Sequence, residues 1–211
     1  MSFSLWIDPS FGASGDMLLG AFSEMVSDPD QALLPLQDLA IEDWKIDFEE
    51  TLRNGLTATK AEVSSRETST GRKWSEIDRL IKDSSLPNQV VDGSRRTFLI
   101  LAQVEAEQHG VTLDDVHFHE VGAVDAILDV IGTWLLWFAL HEEVGTIEEI
   151  AVGPVGLGSG SVNASHGILP LPAPATVGIL KDCPITNVST SNETCTPTGA
   201  ALLVSLANRW G

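Results

Sequence analysis

The chain has 211 residues, with 30 Asp and Glu against 12 Lys and Arg, a formal net charge of −18 and a pI near 4.4. That balance argues against a nucleic-acid binder, which needs clustered cations to neutralise phosphates. Hydrophobic residues make up 43% and charged residues 20%, a globular composition, and a chain of this length buries about 70% of its unfolded surface without help from disulfides or a structural metal.

In chain order, the apolar run from Phe3 to Ile7, stopped by Asp8-Pro9, predicts a strand. A Gly/Ser-rich loop follows, and Asp16 to Ser27 carries apolar residues at helical spacing. Trp44, Ile46 and Phe48 alternate with polar residues, Asn54-Gly55 is a tight-turn signal, and alternation resumes from Leu56 to Val63. This predicts a two-stranded antiparallel ribbon. Trp74 to Lys82 and Val90 to His109 predict a short and a long helix, the second closed by Gly110 and both expected to lie on a sheet. Val116 and Phe118 alternate with His117 and His119, Val121 to Leu140 returns to helical spacing, and Ile147 to Val152 is a further strand. Gly153 to Pro174 is rich in Gly and Pro, and Ala175 to Lys181 is a short helix. Thr196 and Pro197, as N-cap and first helical residue, open a last helix running to Arg209. With no repeat, low-complexity tract or linker, the expected fold is one α/β domain, a mixed sheet with packed helices.

Cys183 and Cys195 make no disulfide framework, and no basic segment followed by an apolar one opens the chain. The most apolar run, Val130 to Leu140, is shorter than the roughly 20 residues that span a bilayer. The expectation is a cytoplasmic protein without a membrane segment.

Ten of the twelve cations lie between Lys45 and Arg96, whereas residues 97–180 hold eleven acids, all five histidines and no Lys or Arg. Such a surface either is simply well solvated or concentrates divalent cations.

Four constellations carry candidate chemistry. In D-P-S-F-G-A-S-G-D-M (residues 8–17) a strand ends in a carboxylate and a small-residue loop enters a helix. The backbone at Gly12 and Gly15 is a candidate cofactor cradle, Asp8 a metal ligand and Asp16 a proton-transfer group, against the plain reading that Ser14 or Asp16 caps the helix. In V-H-F-H-E-V-G-A-V-D (residues 116–125), His117 and His119 fall on one side of an extended segment, about 7 Å apart, within reach of one metal. Imidazole suits nickel and zinc, Asp125 completes the candidate ligand set, and Glu120 is a candidate acid or base. Asp129, four residues after Asp125 on the same helix face, is a second acid in an otherwise apolar helix. The third constellation runs from Gly153 to Pro174 and is no dinucleotide fingerprint, because Ser161 and Asn163 stand where G-x-G-x-x-G needs its last glycine. Gly156 and Gly158 could cradle one phosphate with His166 as proton-transfer group, or the segment is a rigid connection with a structural histidine. In T-P-T-G (residues 196–199), Thr196 and Thr198 offer hydroxyls and a helix N-terminus to an anion, or merely a cap.

Taken together, these motifs, with H-G-I-L-P-L-P-A-P-A-T (residues 166–176) and T-P-T-G-A-A-L-L (residues 196–203), resemble the LarC family of nickel insertion proteins over essentially the whole chain. The resemblance implies CTP-dependent insertion of Ni²⁺ into pyridinium-3,5-bisthiocarboxylic acid mononucleotide, with nickel–sulfur and nickel–carbon bonds, in maturation of the cofactor of lactate racemase and related enzymes. It further implies that residues 1–211 are an N-terminal module and that CTP, with its Mg²⁺ or Mn²⁺, belongs to a C-terminal domain, here expected on a separate partner chain. Homo-oligomerisation is compatible with this. Two other readings stay open at this point: a non-catalytic metal-binding or scaffold subunit, and a metal-dependent hydrolase of a small phosphorylated substrate.

Overall fold

The computed structural model describes residues 2–53, 55–67, 71–118, 121–164 and 167–211. β1 (Phe3–Ile7) leads through the first motif into α1 (Gly15–Ser23), then α2 (Pro29–Leu33), which starts on Asp28, whose side chain accepts the Gln31 N–H at 2.9 Å. β2 (Trp44–Arg53) and β3 (Leu56–Ser65) form the expected ribbon, with Arg53 opposite Leu56 and Gly55 at a φ of +83°. Asn54 lies outside the described residues. β4 (Arg72–Lys73) leads into α3 (Trp74–Lys82), followed by α4 (Asn88–His109), and β5 (His117–Phe118) returns to pair with β4. α5 (Val124–Val144), β6 (Ile147–Val152) and β7 (Val155–Leu157) come next, then β8 (Gly160–Ala164) and β9 (Gly167–Leu171). α6 (Pro174–Ile179), β10 (Ile185–Asn187), α7 (Pro197–Leu206) and β11 (Arg209–Trp210) complete the chain.

The fold is mixed α/β, as expected. Its main sheet is parallel, in the order β1-β6-β11, with Ile7 opposite Val152 and Trp210 opposite the same residue on the other side. β6 holds the centre because Ile150, Ala151 and Val152 are a continuous apolar run, buried on both faces. β7 and β10 form a parallel pair, and β8–β9 form a separate hairpin. The Gly/Pro-rich segment thus contains three strands, which its turn-forming composition concealed.

Two expectations are corrected. α3 and α4 do not lie on a sheet: α3 packs on α4, and α4 packs on α5, α6 and α7. Its central residues explain this, since Trp134 of α5 lies over Gly93 and donates its Nε1–H to Thr97 Oγ1 at 3.0 Å, while Thr97 and Ser205 of α7 share a hydrogen bond of 2.7 Å. The last helix ends at Leu206 instead of Arg209. Asn208 takes the chain out of the helix by binding the open backbone of β6: its Oδ1 accepts the Ile150 N–H at 2.8 Å and its Nδ2 donates to the Glu148 carbonyl at 3.0 Å.

α5 is apolar nearly all round and forms the centre of the core, with Ile127, Leu128, Ile131 and Leu136 fully buried. It is long and apolar enough to cross a membrane, but 67% of its most apolar stretch is packed inside the fold. Most of its first two turns are equally apolar, which makes the carboxylates there conspicuous.

Candidate functional site

The starts of three helices meet at one cleft of about 270 Å³. Ser14, Gly15 and Asp16 come from the start of α1, Asp125, Ala126 and Asp129 from α5, and Thr196, Pro197 and Thr198 from α7. Local chemistry sets each start. The Ser14 hydroxyl donates to Asp16 Oδ1 in a short contact, so it does not cap α1. Thr196 caps α7, its Oγ1 accepting the Gly199 N–H at 3.1 Å, and Pro197 occupies the first helical position. The Thr196 N–H donates to the Ala13 carbonyl at 3.0 Å and Ala13 bridges to Cys195, which fastens the third helix start beside the first. Gly12 permits this approach: its φ is +103°, and a Cβ there would sit 1.9 Å from the Thr194 carbonyl oxygen.

The cleft's electrostatics are mixed by construction. Each helix N-terminus presents a partial positive charge, yet Asp16, Asp125, Asp129 and Glu193 face the same space, and its lining among the described residues contains no Lys or Arg. Asp125 Oδ1 accepts the Ala126 N–H at 2.8 Å. Asp129 Oδ1 is buried with no hydrogen-bond partner among the described residues. Its other oxygen occupies room left by Gly15, where a Cβ would come within 2.5 Å of Asp129 Oδ2. Burial first, then repulsion from Asp16 and Asp125, pushes the Asp129 carboxyl from 3.8 up to about 8. One carboxyl in the cleft therefore holds its proton near neutral pH.

The structure brings together Gly15, Asp16, Asp125, Thr196 and Thr198 of the expected set. It places others elsewhere. Asp8 is exposed at the end of β1, accepts the Ser10 N–H at 3.0 Å, and lines a different groove with Trp6 and Met17. His117 is exposed on β5 against Gly71. Gly156 and Gly158 line no part of the cleft; they allow backbone to approach backbone, a Cβ at either falling 2.0 Å from the Ser10 oxygen or 2.2 Å from the Asn192 oxygen. His119, Glu120 and His166 lie outside the described residues. Among the described residues no three histidine, cysteine or carboxylate side chains are placed to hold one metal ion.

Sequence reasoning left one contributor without a role and passed over another. Asp129 is legible as a second acid in the apolar stretch A-I-L-D-V-I-G, but the ligand role falls to Asp125 alone. The β8–β9 hairpin, which contributes Val162, Asn163 and Leu169 to the cleft wall, had no legible signal, because its tertiary placement leaves no local periodic trace.

Comparison with known proteins agrees with the motif reading. The family model described as nickel insertion protein matches residues 5–211. A pyridinium-3,5-bisthiocarboxylic acid mononucleotide nickel insertion protein of Staphylococcus saprophyticus is 40% identical over 211 residues, all of this chain and 53% of that protein. Proteins of the same name from Staphylococcus epidermidis and a Nocardioides species are 37% and 41% identical, over 100% and 98% of this chain and 52% and 51% of their own lengths. The chain spans about half the length of the curated relatives it matches. No solved structure matches it. Since the family model and these relatives match this chain almost from end to end, it belongs to the nickel insertion protein family.

Proposed function

We propose that this chain binds pyridinium-3,5-bisthiocarboxylic acid mononucleotide in the cleft between the starts of α1, α5 and α7 and takes part, in the cytoplasm, in inserting nickel into it. The observation that carries the reading is that all four of the family-like motifs, far apart in sequence, contribute residues to this one cleft. Nickel is a substrate in this reading. The described residues supply no three-ligand cluster, so the two thiocarboxylate sulfurs of the mononucleotide would supply donors, while Asp16, Asp125 and Glu193 in the lining raise the local concentration of a dication. The N-terminus of α7, with the hydroxyls of Thr196 and Thr198, suits the single phosphate. CTP makes a larger demand on cations than this Lys- and Arg-free lining meets. In this reading CTP and its Mg²⁺ or Mn²⁺ come with a partner polypeptide corresponding to the remaining half of the relatives.

A second reading has one observation in its favour, the same absence of a three-ligand cluster among the described residues. In it the chain is a non-catalytic subunit that holds the organic substrate while a partner handles the metal. Calorimetric titration of the chain with Ni²⁺, with the mononucleotide and with both separates the two. The leading reading expects weak Ni²⁺ binding that tightens once the mononucleotide is present, and about tenfold weaker mononucleotide binding in Thr198→Val, the equivalent of one hydrogen bond of about 1.4 kcal/mol. Mononucleotide binding with no effect on Ni²⁺ favours the second reading, and no mononucleotide binding at all sinks both.

A further inference from the structure

We infer that Asp129 is the proton-transfer residue of this cleft; the inference rests on the nickel-insertion reading only for the source of the proton. Three aspartates line the cleft, and they differ in what they touch. Asp16 Oδ1 accepts the Ser14 hydroxyl and Asp125 Oδ1 accepts the Ala126 N–H. Asp129 Oδ1 is buried and has no donor among the described residues. Among the described residues, the charged groups that line the cleft with it are acidic: Asp16 from α1, Asp125 from its own helix and Glu193 from the segment before α7. A buried carboxylate without donor or cation is costly, and an apolar residue in the second turn of this core helix would avoid that cost. The site instead keeps space for the acid at Gly15, whose backbone lies against Asp129 Oδ2. Carboxyls in one site whose surroundings separate their proton affinities divide the chemical roles between them, and the raised value at Asp129, about 8, lies close to the pH at which proton exchange is most effective.

The step balances without a further reagent. Where nickel replaces a hydrogen on a substrate atom, that atom's bond to hydrogen breaks heterolytically, and its electron pair becomes the bond to nickel. The proton passes to Asp129 in the fraction of molecules whose carboxyl is ionised, a fraction that grows as pH rises toward about 8, and nickel stays divalent. Release of product lets the carboxyl return the proton to solvent.

The test has two arms, both on the full chain. Infrared difference spectroscopy of wild type is expected to show the carbonyl band of a protonated carboxylic acid at neutral pH, titrating near 8, retained in Asp125→Asn and lost in Asp129→Asn. Nickel insertion, assayed with CTP and the partner half, is expected to fall about 10²-fold or more in Asp129→Asn with mononucleotide affinity retained, and the acid limb of its pH profile, the loss of rate below about 8 where the carboxyl is protonated and cannot accept, is expected to disappear. Asp129→Glu is expected to restore part of the rate and to move that limb. No titrating band in wild type, or a band that survives in Asp129→Asn, overturns the inference, as does an Asp129→Asn variant with the wild-type rate and pH profile. If wild type binds no mononucleotide, the functional reading fails on its own account, and the infrared arm alone then decides whether Asp129 is the proton-exchanging group.

Discussion

At the scale of single residues, Asp129 costs the folded chain stability as pH rises. Its carboxyl titrates at about 8 in the folded chain against an ordinary value of 3.8. Between those values the folded chain holds a proton that the unfolded chain has lost, so this group's contribution falls as pH rises from about 4 to about 8 and levels off above. The slope is at most about 1.4 kcal/mol per pH unit. Urea denaturation at pH 5 and pH 9 is expected to show a smaller difference for Asp129→Asn than for wild type, with the variant the more stable at pH 9; an unchanged difference would contradict the assignment. Gly12 makes the opposite kind of demand. Its φ of +103° and its contact with the Thr194 carbonyl leave no room for a methyl group, so Gly12→Ala is expected to cost about 2 kcal/mol or more in the same assay and to loosen α7 from α1.

At the scale of elements, the site depends on three helix starts held in register by unlike devices. α7 is fixed by a capping threonine, and Thr196→Ala is expected to cost about 1 kcal/mol by chemical denaturation while Thr196→Ser keeps most of it. α4, α5 and α7 are keyed together by the chain from Trp134 Nε1 through Thr97 to Ser205. Thr97→Val leaves the Trp134 N–H without its acceptor in a fully buried position and is expected to cost about 2 kcal/mol. That loss reaches the cleft through α5 and α7, so mononucleotide affinity is expected to fall in this variant although no atom of Thr97 touches the cleft. His117 on β5 is outside the lining, and calorimetry of His117→Ala is expected to show wild-type mononucleotide binding.

At the scale of the molecule, charge is segregated along the chain. The net charge of −18 and the segregation of ten cations between Lys45 and Arg96 leave the walls of the cleft anionic. A dication is drawn to such a surface, and the attraction is screened over about 8 Å at physiological ionic strength. Raising salt from 50 to 500 mM is therefore expected to slow Ni²⁺ association, measured by stopped flow, while raising the thermal midpoint as self-repulsion is screened. The same distribution predicts that calorimetry detects no tight CTP binding to this chain alone, because a triphosphate needs cations that the cleft lining lacks.

Local patterns in the sequence determined β1, the β2–β3 ribbon, α3, the body of α5 and the start of α7, since each rests on hydrophobic period, a turn dipeptide or a cap acting within a few residues. They also marked Gly15, Asp16, Asp125, Thr196 and Thr198, which lie in short motifs and line the cleft. Burial was decided elsewhere. That Asp129 loses its water and Asp125 keeps it, that Gly156 and Gly158 serve backbone packing, and that Asp8 and His117 stand apart from the cleft all follow from which helices pack on which. The end of α7 is of the same kind, because Asn208 leaves the helix to bind the Ile150 N–H and the Glu148 carbonyl of β6, a strand about 60 residues earlier whose unpaired backbone groups no local pattern announces. Period and capping act within a turn or two of chain, whereas desolvation and the pairing of distant backbone depend on neighbours that only the tertiary structure supplies.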